Sequence, residues 1–401
     1  MTNYTLFADK PAVRFRKSDP LFFVAVLLLW SLGMVTLYVS TQEAALRIRS
    51  DANSLGFFYD QLKYSCVAFV AFCAMAFLPV NFIKKISVVV FYACFILCVM
   101  AVIPGFKDER NGAYRCVDLG FISFQPSEFI KPALVFYLAY LFVDHASDYE
   151  RESGKKHRNY PLFVVVPLCA FIAFGQNDLS TAIFIFCIGI LMFIITGNSI
   201  LWLLPMGIIL VLFAVFFTTI KVYRLDRVID FLNGELNYQL IKSQLAITAG
   251  GIWGAGMGGG MWRVASIPEV QSDYIFAGWA NAMGLAGVTV YFVLLAFFVW
   301  RGTVISLSCQ NKFAAYSAFA FTIMIAAQSL LNCAVVCGAV PTTGISLPFF
   351  TAGGTSLLTT FSMSGFILNA SHCASDEELE EYSFAKKNMT ESLEGIIIEN
   401  E

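Results

Sequence analysis

Five stretches of the chain set ionisable or strongly polar side chains beside long apolar runs, and each suggests its own chemistry. Gln125-Pro126-Ser127-Glu128 with Lys131 opens one such run. Pro126 suits the first turn of a helix, and Glu128 and Lys131, three apart, fall on one helix face where they can neutralise each other. That pair reads equally as a capped helix start with a local ion pair or as one wall of a cavity for a polar headgroup. Just before it stands Asn111-Gly112-Ala113-Tyr114-Arg115 with Asp118. The planar fork of Arg115 suits a phosphate, whether of a substrate or of surrounding lipid. In Gln176-Asn177-Asp178, the aspartate precedes an apolar run with Thr181 three residues on, the pattern of an N-cap, and capping is the preferred reading.

The fourth stretch carries most of the chemistry. It contains Tyr223-Arg224, Arg227, Asp230, Tyr238-Gln239, Ser243, Gly250-Gly251, the run from Gly254 to Gly260, Arg263, and then Ile267-Pro268-Glu269 through Asp273-Tyr274-Ile275-Phe276-Ala277. The glycine run lacks the Lys-Ser/Thr that completes a nucleotide-binding loop, so a flexible turn explains it as well. Glu269 and Asp273 would share a face if helical. Asp273 lies where the chain enters an apolar run. Desolvation there raises a carboxylate pKa, and Arg224, Arg227 or Arg263 nearby would lower it again. A carboxylate so placed can act as a general base; helix capping is the equal alternative. The fifth stretch pairs Gln328 and Asn332 with Gly338, Pro341-Thr342-Thr343-Gly344 and Leu347-Pro348 through Gly353-Gly354-Thr355-Ser356. Its prolines and glycines interrupt a helix, which lipid tolerates only against protein or a wet cavity, so a cavity opening outward is expected.

The elements that must position these groups follow from composition. Of 401 residues, 58% are hydrophobic and only 13% charged, and mean hydropathy is +0.71. A soluble domain is about 25% charged, and a water-soluble core could not bury so much apolar surface. The fold class is an all-α polytopic membrane protein. Ten helices are predicted, over about 21–40, 61–80, 86–105, 125–144, 160–176, 179–197, 199–220, 275–300, 312–340 and 345–371, each near the ~20 residues that a span requires. The first run is of span length and is read as a retained helix rather than a cleaved signal. Residues 1–372 form the membrane domain, with 221–274 as a large extracytoplasmic loop between the seventh and eighth helices. Residues 373–401, with nine acidic side chains against Lys386 and Lys387, form an acidic cytoplasmic tail, expected to be disordered.

Lys and Arg in the short loops set the orientation. Lys10, Arg14, Arg16, Lys17, Lys84, Lys85, Arg151, Lys155, Lys156, Arg158, Arg301 and Lys312 place both termini inside, against Arg47, Arg49, Lys107, Arg110 and Arg115 outside. Eight of the eleven cysteines sit in apolar runs and behave as small hydrophobes. The spaced pairs Cys94/Cys98 and Cys333/Cys337 lack a third ligand, so metal or disulfide use is not expected of them.

Taken in order over roughly residues 20–370, the motifs resemble the SEDS family (shape, elongation, division and sporulation) of bacterial cell-wall polymerases. Asn111-Gly112-Ala113 with Arg115, Gln125 to Lys131, and Asp178 with Thr181-Ala182 resemble its first half. Tyr238-Gln239 with Ser243, Gly250-Gly251, Gly254 and Gly256, Pro268-Glu269, Asp273 to Ala277, and Pro341 to Ser356 resemble its second. The resemblance implies a peptidoglycan glycosyltransferase that polymerises lipid II, a disaccharide-pentapeptide on undecaprenyl pyrophosphate. Asp273 matches the family's catalytic aspartate, which would activate the acceptor 4-hydroxyl for attack on the donor's anomeric carbon as the polyprenyl pyrophosphate leaves. A divalent cation (Mg2+ or Mn2+) is the implied cofactor, with its ligands unknown. The expected substrate-binding set is Arg115, Glu128, Lys131, Arg224, Arg227, Gln239, Ser243, Glu269 and Thr343.

The length from Gly254 to Pro268 resembles the division-type (FtsW-like) branch more than the elongation-type (RodA-like) branch, which would act in cell shape. Implied partners are a class B penicillin-binding protein, other divisome proteins and membrane lipids, with no nucleic acid. The implied location is the bacterial inner membrane at the septum. Five positions at three sites depart from the family pattern: Cys116 replaces a tryptophan, Asn281 and Ala282 replace paired glutamates, and Thr351-Ala352 replaces Ser-Tyr. Two rival readings remain: a lipid II flippase or other transporter, which the ten helices and the interrupted last helix would suit, and a scaffold that only recruits division proteins.

Overall fold

The computed structural model describes residues 18–48, 55–103, 107–110, 113–118, 123–152, 162–196, 203–234, 237–257, 264, 266–268 and 270–372. In chain order these form α1 (Pro20–Ile48), α2 (Gly56–Phe77), α3 (Val80–Met100), β1 (Lys107–Arg110), β2 (Ala113–Asp118), β3 (Ser123–Phe124), α4 (Pro126–Glu152), α5 (Leu162–Phe174), α6 (Leu179–Ile195), α7 (Leu203–Thr219), α8 (Val222–Asn233), α9 (Tyr238–Gly250), α10 (Ile275–Ser308), α11 (Lys312–Val336) and α12 (Gly354–Ala370). Helices dominate because backbone polar groups in hydrocarbon must be satisfied within the segment.

Each of the ten predicted segments contains a helix. Among the described residues six helices are long and apolar enough to cross a membrane on their own: α1, α2, α3, α4, α10 and α11. Helices α5 and α6 are apolar but shorter, and α7 continues into α8 through a bend of 116°. The protein is a multi-pass membrane protein.

The structure adds detail to the sequence reading in three places. Before α4, β1, β2 and β3 form a small antiparallel sheet, with Lys107 opposite Val117 and Val117 opposite Phe124. Arg110 pairs with Ala113 across Asn111-Gly112, and Asn-Gly is the preferred hairpin dipeptide. The 221–274 segment is not one loop, since it contains α8 and α9. The last predicted helix begins only at Gly354, and 345–353 is non-helical.

Close helix contacts hold the bundle. Helices α2 and α12 approach so nearly that a Cβ on Gly365 would lie 2.3 Å from the Phe72 carbonyl oxygen, the small-residue packing that membrane helices favour. Asn369 of α12 donates to the carbonyls of Met75 and Leu78 at 2.8 and 2.7 Å, satisfying orphan acceptors at the end of α2. The two described ends meet on one face: Asp19 N–H donates to Ser371 Oγ (3.3 Å) and His372 Nε2 lies 3.0 Å from Ser18 Oγ.

Candidate functional site

Asp273 occupies a turn rather than a helix, at the point where the chain enters α10, and is half-buried. A predicted helical face shared with Glu269 is therefore not formed at Asp273, and Glu269 itself lies outside the described residues. The backbone under Asp273 is clamped from two directions. Asn332 of α11 donates through Nδ2 to the Asp273 carbonyl and to the Ile345 carbonyl, both at 2.9 Å. The segment after Ile345 then runs alongside: Thr351 Oγ donates to the Ser272 carbonyl at 3.2 Å, and Ala352 N–H donates to Gln271 O at 2.8 Å. The break in the last helix thus supplies the backbone partners that a turn at 270–274 needs.

Two residues lock the 345–353 segment in turn. Leu347 N–H donates to Thr351 Oγ at 2.7 Å. Gln61 of α2, buried, donates to the Thr351 carbonyl at 3.1 Å and accepts from Gly353 N–H at 3.2 Å. Phe349 adopts φ = 68°, a conformation costly for a bulky side chain. The reason is close approach: a Cβ on Gly33 of α1 would fall 2.2 Å from the Phe349 oxygen. Gln61 was not singled out from the sequence. Its only signal there is a glutamine within an apolar span.

The Gln125–Lys131 cluster joins the same segment from the other side. Gln125 N–H donates to Thr355 Oγ at 3.3 Å, and Ser356 Oγ lies 2.8 Å from Ser346 Oγ. Glu128 and Lys131 form their ion pair at 2.8 Å, with both residues more than nine-tenths buried. Lys131 Nζ also stands 5.6 Å from the Phe184 ring centroid. Of the two sequence readings, the local ion pair is the one that the geometry forms.

The described start of the glycine run, Gly254 to Met257, is held against α10. Gly254 has φ = 84°, and a Cβ there would lie 2.2 Å from the Ala282 oxygen. Across this contact α10 breaks at Gly284 (φ 62°). Ala255 and Gly256 donate to the carbonyls of Asn281 and Ala282 at 2.9 and 3.1 Å, while Leu285 and Ala286 donate to Gly251 and Ile252 at 2.9 and 3.1 Å. The glycines allow one backbone to satisfy the groups that a broken helix frees. Asn281, at one departure from the family pattern, donates to Ala246 O at 2.7 Å.

The remaining predicted residues divide. Arg224 is buried, with its guanidinium donating to Phe217 O (3.0 Å), Ala173 O (3.4 Å) and Asn177 Oδ1 (2.6 Å). Ser243 is fully buried and donates to Val336 O at 2.9 Å. These two groups hold helices together, and the structure does not present them to a ligand. Gln239 is half-buried in the first turn of α9 and Arg227 is exposed on α8. Thr343 Oγ is buried without a hydrogen-bond partner. Arg115 is on β2, its side chain outside the described residues. Asp178 caps α6 as expected, accepting from Thr181 N–H at 3.1 Å and from its hydroxyl at 2.8 Å. Gln176 caps α3 through Cys98 O at 3.0 Å.

Tyr274 adds an unforeseen group. Its side chain is 3% exposed and its hydroxyl has no hydrogen-bond partner. Burial, reinforced by the negative charge of Asp273 and opposed by Arg227, pushes its pKa up to about 12. Asp273 and Arg227 therefore flank the same phenol. Among the described residues no three His, Cys, Asp or Glu side chains gather as a metal cage. One carboxylate plus phosphate oxygens of a substrate is a donor set that Mg2+ accepts, and Asp273 is the carboxylate of this site that such a set would use.

The comparisons agree with this architecture. A family model described as cell cycle protein, FtsW/RodA/SpoVE, matches residues 19–376. A protein of Trichlorobacter lovleyi named probable peptidoglycan glycosyltransferase FtsW is 30% identical over 363 residues, spanning 89% of this chain and 94% of that protein. Stage V sporulation protein E of Bacillus subtilis is 30% identical over 359 residues, spanning 88% and 96%. Among solved structures, one chain from a study of polymerization and crosslinking by a peptidoglycan synthase complex superposes with TM-score 0.70 at 21% identity, covering 88% of this chain and 97% of that one. The rod shape determining protein RodA of Thermus thermophilus superposes with TM-score 0.64 at 20% identity, covering 88% and 96%. The chain belongs to the FtsW/RodA/SpoVE family of polytopic membrane proteins.

Proposed function

We propose that the protein is a peptidoglycan glycosyltransferase that polymerises lipid II, acting in septal wall synthesis. The observation that carries this is a half-buried aspartate, Asp273, where α10 begins, its carbonyl held by Asn332 and the preceding Ser272 carbonyl held by Thr351. Asp273 accepts the proton of the acceptor 4-hydroxyl, and the resulting nucleophile forms a bond to the donor's anomeric carbon while the bond to pyrophosphate oxygen breaks. Rigid support matters because a base must stay within hydrogen-bond reach of its proton. Exposed Arg227 is assigned to the anionic end of the substrate, and the buried Lys131–Glu128 pair to one wall of the headgroup pocket. A bound Mg2+ or Mn2+ would add neutralising charge at the leaving pyrophosphate.

The relatives named FtsW support a division role over an elongation role. A penicillin-binding-protein partner is supported by the fold match to a chain studied in a synthase complex. The basic short loops support cytoplasmic termini. The test is strand synthesis from purified lipid II, comparing wild type with Asp273→Asn. Loss of polymer with unchanged folding is expected. Equal polymer from the variant overturns the assignment, and lipid translocation without polymer would support the flippase instead.

A further inference from the structure

On the face where the two chain ends meet, α1, α10 and the end of α12 enclose a cavity of about 410 Å3 lined by Ser18, Asp19, Leu21, Arg301, Ser308 and Ser371, among others. Arg301 lies near the far end of α10 from Asp273, 17 residues beyond the break at Gly284, and none of the residues lining this cavity belongs to the proposed catalytic site.

The charge accounting at the cavity is uneven. Asp19 is fully engaged: Oδ1 accepts from the N–H groups of Leu21 and Phe22 at 3.0 and 3.1 Å, capping α1, and Oδ2 accepts from Arg301 Nη2. Its charge is therefore shared with a helix N-terminus, itself partly positive. Arg301 has five N–H donors, and among the described residues Asp19 is the acceptor it meets. Its Nε–H is buried without a partner, a costly state for a charged group. Ser308 and Ser371 add hydroxyls beside it. The rim is apolar and faces outward: Leu21 is 49% and Val304 38% exposed, and Leu21, Val24 and Leu28 continue as an exposed stripe along α1. Trp300, 55% exposed, stands beside Arg301 with its ring 5.3 Å from the guanidinium carbon, the placement of a tryptophan at a membrane interface.

We infer that this cavity binds a phosphate group, presented by a membrane phospholipid whose chains follow the exposed faces of α1 and α10. The volume lies within the roughly 300–1,000 Å3 of small-ligand sites. Arg301 supplies the donors, and the hydroxyls of Ser308 and Ser371, which rest on the carbonyls of Ile305 and Leu368, would have to turn to donate to the phosphate.

Native mass spectrometry of the delipidated full chain, titrated with dioctanoyl phosphatidylglycerol, tests this. One phospholipid held per chain is expected, with retention at least tenfold weaker in Ser308→Trp, which fills the cavity and leaves the Asp19–Arg301 pair in place, and in Arg301→Gln. Dioctanoylglycerol, lacking the phosphate, is expected not to bind. Millimolar inorganic phosphate distinguishes the source: no displacement supports a lipid-borne phosphate, whereas full displacement assigns the site to the free anion and overturns the lipid. Equal phospholipid retention in wild type and Ser308→Trp overturns the site itself, even if Arg301→Gln fails to fold.

Discussion

Asn332 and Asp273 are joined through the backbone. The amide of Asn332, in the middle of an apolar helix, donates to the Asp273 carbonyl at 2.9 Å and equally to Ile345. The side chain that carries the proposed chemistry thus owes its position to an amide 59 residues away. Replacing Asn332 by Leu leaves two buried carbonyls unmet, each costing about 1–3 kcal/mol. Strand synthesis from lipid II is expected to fall by more than about tenfold, since 1.4 kcal/mol is a factor of ten. Asn332→Gln, one methylene longer, is expected to restore part of it. Unchanged turnover in Asn332→Leu would show that the clamp is irrelevant to activity.

Glu128 and Lys131 form a buried pair, so single and double replacements should differ. Lys131→Met alone strands a buried carboxylate and should lower stability by about 3–5 kcal/mol. The double variant Glu128→Leu/Lys131→Met should recover most of that stability, as measured by thermal unfolding in detergent. Because the pair is proposed as a wall of the substrate pocket, the double variant is expected to stay inactive. Recovery of both stability and activity would reduce the pair to packing.

Arg224 and Arg227 look alike in sequence but should behave in opposite ways. Arg224→Lys loses the fork that reaches Phe217, Ala173 and Asn177, and a lysine cannot replace that geometry. It should lower the thermal midpoint by several degrees. Arg227→Gln, on an exposed position, should leave the midpoint within about a degree, consistent with surface substitutions costing under about 0.5 kcal/mol. It should raise the KM for lipid II several-fold.

Within the glycine run, Gly254→Ala meets the Ala282 carbonyl at 2.2 Å, whereas Gly256→Ala meets nothing within 4 Å although its φ is +79°. The second should cost only the left-handed strain, about 1–2 kcal/mol. The first should abolish folded yield. Equal yields by gel filtration would contradict the packing role given to Gly254.

Tyr274 gives a pH signature. Its ordinary pKa is 10 and its folded value is raised to about 12. The neutral phenol is favoured in the folded state, so its contribution to stability is complete below pH 10. It is lost as pH rises from 10 to about 12. The unfolding midpoint of wild type should fall over that window more steeply than that of Tyr274→Phe, and parallel curves would argue against the burial of this hydroxyl.

Much was legible from residue types alone. Apolar runs dictated membrane helices because hydrocarbon leaves no other partner for the backbone. Asp178 announced its cap, since a short carboxylate three residues before an exposed N–H has one dominant local use. Asp273 stood out as a charge at the mouth of an apolar run. Local physics of this kind is written in near neighbours.

What tertiary structure decided involves partners far apart in the chain. Whether Arg224 meets a substrate or three protein acceptors depends on where the α5–α6 connection falls. The glycine run could be a loose turn until the broken helix at Gly284 supplied backbone to pair with. Gln61 is one amide in an apolar span, and only the return of residues 351–353 gives it two partners. A polar side chain in a membrane must find hydrogen bonds somewhere, but which ones it finds is set by packing rather than by its own sequence neighbourhood.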